Sequence, residues 1–179
     1  GLAVRPAETL TLHAPKVGMV AINSGRIAVA RIGIPADASG VGVGDLRANY
    51  PVPGAVSHKG DNGIVVVAGG SIPYIGAPLY CALGAYRGGA DLVHVIAPAQ
   101  VAGHLRSLSP EPIVHAAGND TLGPGAADAA KPLLKRGATL LLGPGLGGGK
   151  KARAAAQAIL DAAAAHGNPV VVDADGLDA

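Results

Sequence analysis

Residues 64–78 read IVVVAGGSIPYIGAP, and this stretch decides the fold class. An apolar run rich in β-branched valine and isoleucine ends in two glycines, and Pro78 then stands where the first turn of a helix accepts a proline. A strand that runs through a glycine-rich turn into a helix is typical of a parallel α/β sheet, whose strands are covered on both faces. We predict a strand at Ile64–Ala68, followed by a helix that begins near Pro78.

The same alternation continues to the end of the chain. Short Val, Ile and Leu runs alternate with longer alanine-rich stretches, which predicts parallel strands joined by crossover helices. Further strands are predicted at Leu92–Ala97, residues 112–115, Thr139–Leu142 and residues 170–173. A helix is predicted over residues 149–166, with a stop at residues 167–169. The helical pattern of residues 126–136 should start or kink at Pro132, because proline has no N–H to donate.

The first third of the chain lacks this alternation. Two strands are predicted there, at residues 9–12 and 26–34. Residues 35–58 are rich in Gly, Pro and small polar residues without a helical or strand period, so this segment is interpreted as a linker. Because the chain begins at Gly1 and ends at Ala179 just after a strand-like run, we expect it to be part of a longer protein.

Composition excludes several classes of function. With 49% hydrophobic and 15% charged residues among 179, the chain is predicted to fold around a buried core. It has no Phe or Trp and a net charge of only +2, which gives neither a base-stacking platform nor a field for a nucleic-acid backbone. The single cysteine and the lack of a long apolar run predict a cytoplasmic protein with no membrane partner.

Two glycine-rich segments are candidate ligand loops, because ligands of parallel sheets bind outside the carboxyl ends of the strands. The first is GGSIPYIGAP, and the second is GPGLGGGKK at residues 143–151. Gly143, Gly145 and Gly148 fit the dinucleotide pattern G-x-G-x-x-G, although it lies in the fourth strand–helix unit and the following acid, Asp173, comes late. A phosphate-binding or other ligand-facing loop, and a loop kept small only for packing, are the alternatives.

Carboxylates at the end of the last strand are further candidates. Asp173 and Asp175 would share a face if the strand continued through them, and Asp175 could equally cap a following helix. His58 and Asp61 form a cluster that a solvated loop explains equally well. The remaining histidines show no metal-ligand spacing and are assigned to packing or solvent, so we predict no protein metal site.

Taken together, the segments at residues 58–98, 140–147 and 169–179 resemble the first half of the ADP- or ATP-dependent NAD(P)H-hydrate dehydratases, which have a ribokinase-like fold. Residues 10–35 resemble the last strands of the NAD(P)H-hydrate epimerase domain that precedes the dehydratase in bifunctional members. The resemblance implies an epimerase end at residues 1–36, a linker at 37–57 and an incomplete ribokinase-like dehydratase domain at 58–179. That domain would be an α/β parallel sheet with helices on both faces.

The resemblance also implies an activity and a site. Members use ADP or ATP to dehydrate the S epimer of NAD(P)H hydrate, and we expect Mg²⁺ to accompany the nucleotide. Substrate contacts are implied at Ala77 and at a glycine of residues 143–147, for which we favour Gly145. Gly143, Gly147 and Asp173 complete the predicted substrate-binding set. The family's catalytic base and nucleotide-binding segments have no counterpart before Ala179, so they are expected beyond it.

Other functions stay open from the sequence. The chain could be another ribokinase-like small-molecule kinase, since this architecture hosts several substrates. It could be a non-catalytic NAD-binding Rossmann module built on the glycines of residues 143–148, or a scaffold that only assembles with other chains. We also expect the 179 residues alone to be inactive and to associate, with a homo-oligomer as the natural state.

Overall fold

A computed structural model describes residues 6–12, 19, 24–31, 42–50 and 52–179. The chain divides into two compact units, Gly1–Val52 and Pro53–Ala179, which are described separately. In the first unit, strands β1 (Glu8–Leu12) and β2 (Arg26–Ala30) pair in parallel. This confirms two strands there, while residues 32–34 of the second predicted strand lie outside the described residues.

A short helix, α1 (Val43–Asn49), also forms in the first unit, within the segment interpreted as a linker. The Asp45 carboxylate accepts a hydrogen bond of 2.8 Å from the backbone N–H of Gly42, which supplies a partner at the start of the helix. No helix was predicted in this segment, and its interpretation as a linker stays a prediction. The sequence did not predict this helix because glycines, which disfavour helices, lie on either side of Val43.

The second unit is built on a parallel sheet of five strands in the order β5-β4-β3-β6-β7. The strands are β3 (Ile64–Ala68), β4 (Leu92–Ala97), β5 (Ile113–Ala116), β6 (Thr139–Leu142) and β7 (Val170–Val172). The predicted α/β class is confirmed, and three of the five predicted strands have the expected bounds. β5 begins one residue late, after Pro112, which has no N–H for the ladder. β7 ends before Asp173.

Four helices of the second unit cover the sheet: α2 (Gly76–Arg87), α3 (Ala99–Leu108), α4 (Gly125–Leu134) and α5 (Lys150–His166). The helix α5 agrees with the prediction and ends at Gly167, which takes the left-handed conformation with φ of 66°. The prediction for α4 was wrong, since it begins seven residues before Pro132. Pro132 lies inside the helix, close to its end at Leu134, and leaves the helix without one N–H donor.

Alternate residues of the central strands point to opposite faces of the sheet. Val67, Val93 and Val95 pack with helices α2 and α3, whereas Val66 and Leu140 pack with α4 and α5. All five side chains are fully buried. The prediction of helices on both faces is thus confirmed, and the alanine-rich helices can lie close to the strands because their side chains are small.

Candidate functional site

The strand order places a reversal of winding at the centre of the sheet. From β3 the chain moves outward to β4 and β5, then crosses back to place β6 on the other side of β3. The loops that leave β3 and β6 therefore start side by side and lead to helices on opposite faces. Such a reversal opens a crevice at the carboxyl ends of the strands, where ligands of open α/β sheets bind.

The two predicted glycine loops meet at this reversal. The N–H of Gly70 donates to the carbonyl oxygen of Pro144 at 2.9 Å, and the buried Ser71 hydroxyl donates to the carbonyl oxygen of Gly145 at 2.8 Å. Both bonds join the loop after β3 to the loop after β6. The sequence predicted both loops but did not single out Ser71, because a lone serine in a glycine-rich turn carries no distinctive signal.

Ala77 and Gly145, the two leading candidates, are brought together. Gly145 has φ of +63°, and a Cβ placed on it would lie 3.2 Å from the Cβ of Ala77 and 2.7 Å from that of Tyr74. Only glycine fits so close a contact in this backbone conformation. Both residues are partly exposed at the crevice, so they can border a ligand. A side chain added at Gly145 would also push the two loops apart.

The loop after β6 offers backbone N–H groups that have no protein partner among the described residues. Its positive φ values fall on alternate residues, Gly143, Gly145, Gly147 and Gly149, and none of the residues between them has one. Two N–H groups of the loop are already bonded, that of Leu146 to the Gly143 carbonyl oxygen and that of Gly147 to Asp175, each at 2.9 Å. In the described part of the chain, the N–H groups of Gly145, Gly148 and Gly149 donate to no protein acceptor. These three donors can therefore serve a ligand.

The other predicted glycines have structural partners. Gly143 is buried, and any Cβ on it would overlap the carbonyl oxygen of Asp173 and lie 2.6 Å from the nitrogen of Gly176. Gly147 donates its N–H to a carboxylate oxygen of Asp175 at 2.9 Å. The loop after β6 is thus joined to the segment after β7 as well as to the segment after β3.

Asp173 and Asp175 do not lie together on a strand. β7 ends at Val172, Ala174 takes φ of 48°, and residues Ala174–Asp178 form a 3-10 turn. Asp175 points to the glycine loop, whereas the exposed Asp173 carboxylate makes no hydrogen bond or ion pair within the described residues. The expectation of two carboxylates on one strand face is therefore wrong, because the chain leaves the strand between them.

Cys81 lies on α2, close enough to Asp173 to sense its charge. Burial raises the pKa of the Cys81 thiol above its ordinary value, and the Asp173 carboxylate raises it further. Both effects favour the neutral thiol, which is a poor nucleophile. Cys81 is therefore a packing residue of α2 rather than a reactive group of the crevice.

The cluster at the start of the second unit has a structural role. Asp61 accepts a 2.7 Å hydrogen bond from the backbone N–H of His58, and Asp91 accepts backbone bonds from Gly60 and Asn62. These bonds, led by those from Asn62, hold the pKa of Asp91 below its ordinary value. They fix the turn that leads into β3. These contacts agree with the alternative that His58 and Asp61 belong to a solvated loop.

A groove of about 810 Å³ lies between the loop that follows β5 and the first half of α5. Its lining includes residues 118–124, Lys131 and Lys151, and none of the residues of the two glycine loops at 69–78 and 143–149. Its floor is largely formed by alanines of α4 and α5. The groove and the crevice between β3 and β6 are therefore different places on the second unit.

These features define a class: an open parallel α/β protein whose two glycine loops meet where its strand order reverses. A family model described as NAD(P)H-hydrate dehydratase matches residues 65–179, which include both glycine loops and the segment after β7. The chain belongs to the NAD(P)H-hydrate dehydratase family. The resemblance stated from the sequence is confirmed.

Individual relatives agree with this assignment. The chain is similar to the bifunctional NAD(P)H-hydrate repair enzyme Nnr of Methanothermobacter thermautotrophicus, at 40% identity over 98% of this chain and 34% of that protein. The human ATP-dependent (S)-NAD(P)H-hydrate dehydratase is 39% identical over 74% of this chain and 37% of that protein. The chain thus spans little more than a third of the length of these two relatives.

A solved structure supports the fold. The ADP/ATP-dependent NAD(P)H-hydrate dehydratase of Bacillus subtilis, co-crystallised with ATP and Mg²⁺, superposes with a TM-score of 0.56 at 26% identity. The match covers 75% of this chain and 45% of that one. It confirms the predicted ribokinase-like α/β class. No helix among the described residues is long and apolar enough to cross a membrane.

Proposed function

We propose that the protein carrying this chain dehydrates the S epimer of NAD(P)H hydrate to NAD(P)H, with ADP or ATP as the phosphoryl donor. The observation that carries the proposal is the junction of the two loops, GGSIPYIGAP and GPGLG, at the reversal of strand order in a chain of the dehydratase family. The names of the human and Bacillus relatives, which specify ATP or ADP/ATP, support the choice of donor.

The crevice suits the chemistry of such a reaction. The hydroxyl of the hydrated nicotinamide ring is a poor leaving group, and transfer of a phosphoryl group to it yields a phosphate ester whose C–O bond breaks more easily. Ala77 and the backbone of Gly145 would border the ring. The free N–H groups of Gly145, Gly148 and Gly149 would stabilise negative charge during the transfer, as preorganised donors do.

The donor nucleotide and its metal need further groups. In the described residues, no three His, Cys, Asp or Glu side chains converge into a metal site. Magnesium in nucleotide sites is commonly held by one or two carboxylates together with the phosphates. The exposed Asp173 is the carboxylate of the crevice that could take such a role or bind a substrate hydroxyl. We expect the catalytic base and the main nucleotide-binding segments outside residues 1–179.

The other parts of the proposal concern the whole protein. Residues 1–36 would be the end of an epimerase domain that interconverts the R and S hydrates, supported by the name of the bifunctional archaeal relative. Residues 37–57 would join it to the dehydratase domain. We further propose a cytoplasmic homo-oligomer, supported by the single cysteine and by the exposed Val170 and Val171 at the border of the sheet.

The direct test measures recovery of dihydronicotinamide absorbance from the S hydrate by the complete protein, with ADP or with ATP. Ala77→Leu should abolish turnover while nucleotide binding persists, because the larger side chain fills the space next to Gly145. Ala164→Leu, on the exposed face of α5, is the matched control and should turn over normally. Absence of recovery with either nucleotide in the unmodified protein would overturn the proposed activity.

Gly145→Val should also lose turnover, but for two combined reasons. The valine would strain a residue with positive φ and would press on Tyr74 and Ala77. Its loss of activity therefore reports on the junction of the loops rather than on ligand contact alone. Normal turnover in both Ala77→Leu and Gly145→Val would place the substrate elsewhere.

A further inference from the structure

The two carboxylates that follow β7 have different surroundings. Asp175 is half-buried, and its carboxylate oxygen lies 2.9 Å from the backbone nitrogen of Gly147, 28 positions earlier in the chain. Asp173 is exposed, and its carboxylate has no hydrogen-bond partner within the described residues, although its backbone bonds to Leu142 and Gly176. The same residue type therefore occupies two distinct positions within one short segment.

The backbone between them explains the difference. Ala174 takes φ of 48°, which an alanine adopts only at a cost, so the chain turns sharply between the two aspartates. Gly176 then lies buried against the loop after β6, where a Cβ on it would be 2.7 Å from the carbonyl oxygen of Leu142 and 3.0 Å from the Cα of Gly143. This close contact holds Asp175 at the glycine loop.

The loop needs such a contact. Residues 143–149 include five glycines, which lose more conformational freedom on ordering than any other residue. Ser71 fixes one point through the carbonyl oxygen of Gly145, and Asp175 fixes a second through the N–H of Gly147. A hydrogen bond to an ionised acceptor is stronger than one between neutral groups. Together the two side chains hold the loop from opposite sides of β6.

We infer that Asp175 is a positioning residue, which holds Gly147 so that the free N–H groups of the loop face the ligand, and that Asp173 is the carboxylate presented to the ligand. The statement on the ligand rests on the proposed function, whereas the role of Asp175 in the loop does not. One oxygen of the Asp175 carboxylate is engaged by the N–H of Gly147, whereas both oxygens of the Asp173 carboxylate are without a protein partner in the described residues.

Amide hydrogen exchange tests the role in the loop without any assay of activity. In Asp175→Ala, the Gly147 amide should exchange about 10- to 100-fold faster, the loss expected for a hydrogen bond to a charged group. In Asp175→Asn the acceleration should be clearly smaller than in Asp175→Ala, because the amide oxygen can accept the same bond although it carries no charge. Asp173→Asn should leave the Gly147 amide unchanged, and the Val66 amide in β3 monitors the fold in every variant.

Unchanged exchange of Gly147 in Asp175→Ala, or an equal acceleration in Asp173→Asn, would overturn the inference. If Asp175→Ala does not fold, Ser71→Ala is the second variant. It removes only the bond to the Gly145 carbonyl, so the Gly147 amide should keep most of its protection as long as Asp175 is present. A loss of protection at Gly147 in Ser71→Ala as large as that at Leu146, whose N–H donates to the Gly143 carbonyl oxygen in the same loop, would show that Asp175 does not hold the loop independently.

Kinetics of the complete enzyme test the second part of the inference, which concerns the ligand. Asp175→Ala should lower kcat/KM by about tenfold or more, and Asp175→Asn should restore it, since the hydrogen bond rather than the charge is needed. Asp173→Asn should change KM, although asparagine keeps a hydrogen-bonding side chain at this position. A loss in Asp175→Asn as large as in Asp175→Ala would contradict a positioning role. Absence of activity in the unmodified enzyme would refute the proposed function, while hydrogen exchange would still decide the role of Asp175.

Discussion

The centre of the five-stranded sheet differs from its two borders. At the centre, β3 and β6 are covered on both faces, and the loops that leave them are joined by bonds from main chain to main chain and from side chain to main chain. At the borders, β5 carries a histidine that pairs with one on β4, and β7 exposes Val170 and Val171. The candidate site lies at the centre, where the backbone has the least freedom, because a cradle of N–H groups works only if its geometry is fixed.

The largest expected change in the free energy of unfolding is at Gly143, which directly follows the central strand β6. Gly143→Ala should lower the free energy of unfolding by about 3 kcal/mol or more, because its Cβ would overlap the carbonyl oxygen of Asp173 at a residue with φ of +116°. Gly148→Ala is the matched control, with open space around the position. Urea unfolding of both variants measures the contrast. Equal, small losses would show that the two loops are not held as tightly as described.

Two valine-to-alanine variants compare the stability contributed by a central strand, β3, with that of a border strand, β7. Val66→Ala in β3 removes two methyl groups from a fully buried side chain and should cost about 2 kcal/mol. Val171→Ala in β7 removes the same atoms from a side chain that is 54% exposed and should cost less than about 0.5 kcal/mol. Similar losses at both positions, measured by urea unfolding, would mean that Val171 is covered in solution by another copy or another segment.

The border near β5 should make stability depend on pH. His94, only 7% exposed, lies with its Nδ1 2.9 Å from Nε2 of His115, and their rings stack. Burial, followed by the charges of neighbouring groups that include Arg136 and Arg106, lowers both pKa values below their ordinary range. The folded state therefore binds fewer protons than the unfolded state in mildly acidic solution.

Stability should be complete above about pH 6.5 and should fall as the pH drops below it, by at most about 1.4 kcal/mol per pH unit for each proton taken up on unfolding. His94→Leu should flatten this dependence, since the neutral side chain has no proton to gain. His104→Gln, at an exposed position of α3, is the control and should keep the slope of the unmodified protein. His115 remains in His94→Leu, so part of the slope should persist; a slope as large as that of the unmodified protein would assign the pH dependence to other groups.

The smallest effect is expected at the end of β7. Ala174→Gly relieves the positive φ of Ala174 but adds conformational freedom to the unfolded chain, so the two contributions nearly cancel. The free energy of unfolding should rise by less than about 0.5 kcal/mol. A loss of more than 1 kcal/mol, measured by urea unfolding, would mean that the Ala174 methyl group makes contacts essential to the turn.

The sheet and its two glycine loops were predictable because their signals are local. β3, β4 and β6 are short runs made mostly of β-branched residues and leucine, and each stops at a glycine or a proline, so their bounds can be read from neighbouring residues alone. The helix α1 was missed because its apolar content is low and glycines flank its start. Pro132 led to a wrong prediction of the start of α4. The penalty for a proline depends on its place in the helix, and the alanine-rich sequence does not show where the helix begins.

The sequence named two candidate residues that the structure places side by side, but it did not predict the hydrogen bonds that join the loops. Ala77 and Gly145 were chosen from the family resemblance, and the structure brings them together because the strand order makes β3 and β6 neighbours. Ser71 and Asp175 act through bonds that span 74 and 28 positions of the chain. No local pattern reports such bonds, since they depend on how the sheet assembles. The assignment of substrate contacts to individual residues stays a prediction.

The most direct test of the central claim is a crystal structure of the complete protein with the S epimer of NADPH hydrate bound. We expect the hydrated nicotinamide ring to lie against Ala77 and the backbone of Gly145, at the junction of the loops that leave β3 and β6. We also expect the Asp173 carboxylate to contact the ligand or its metal, with Asp175 still bonded to Gly147. A ring bound instead in the groove beside residues 118–124, or away from both glycine loops, would contradict the account.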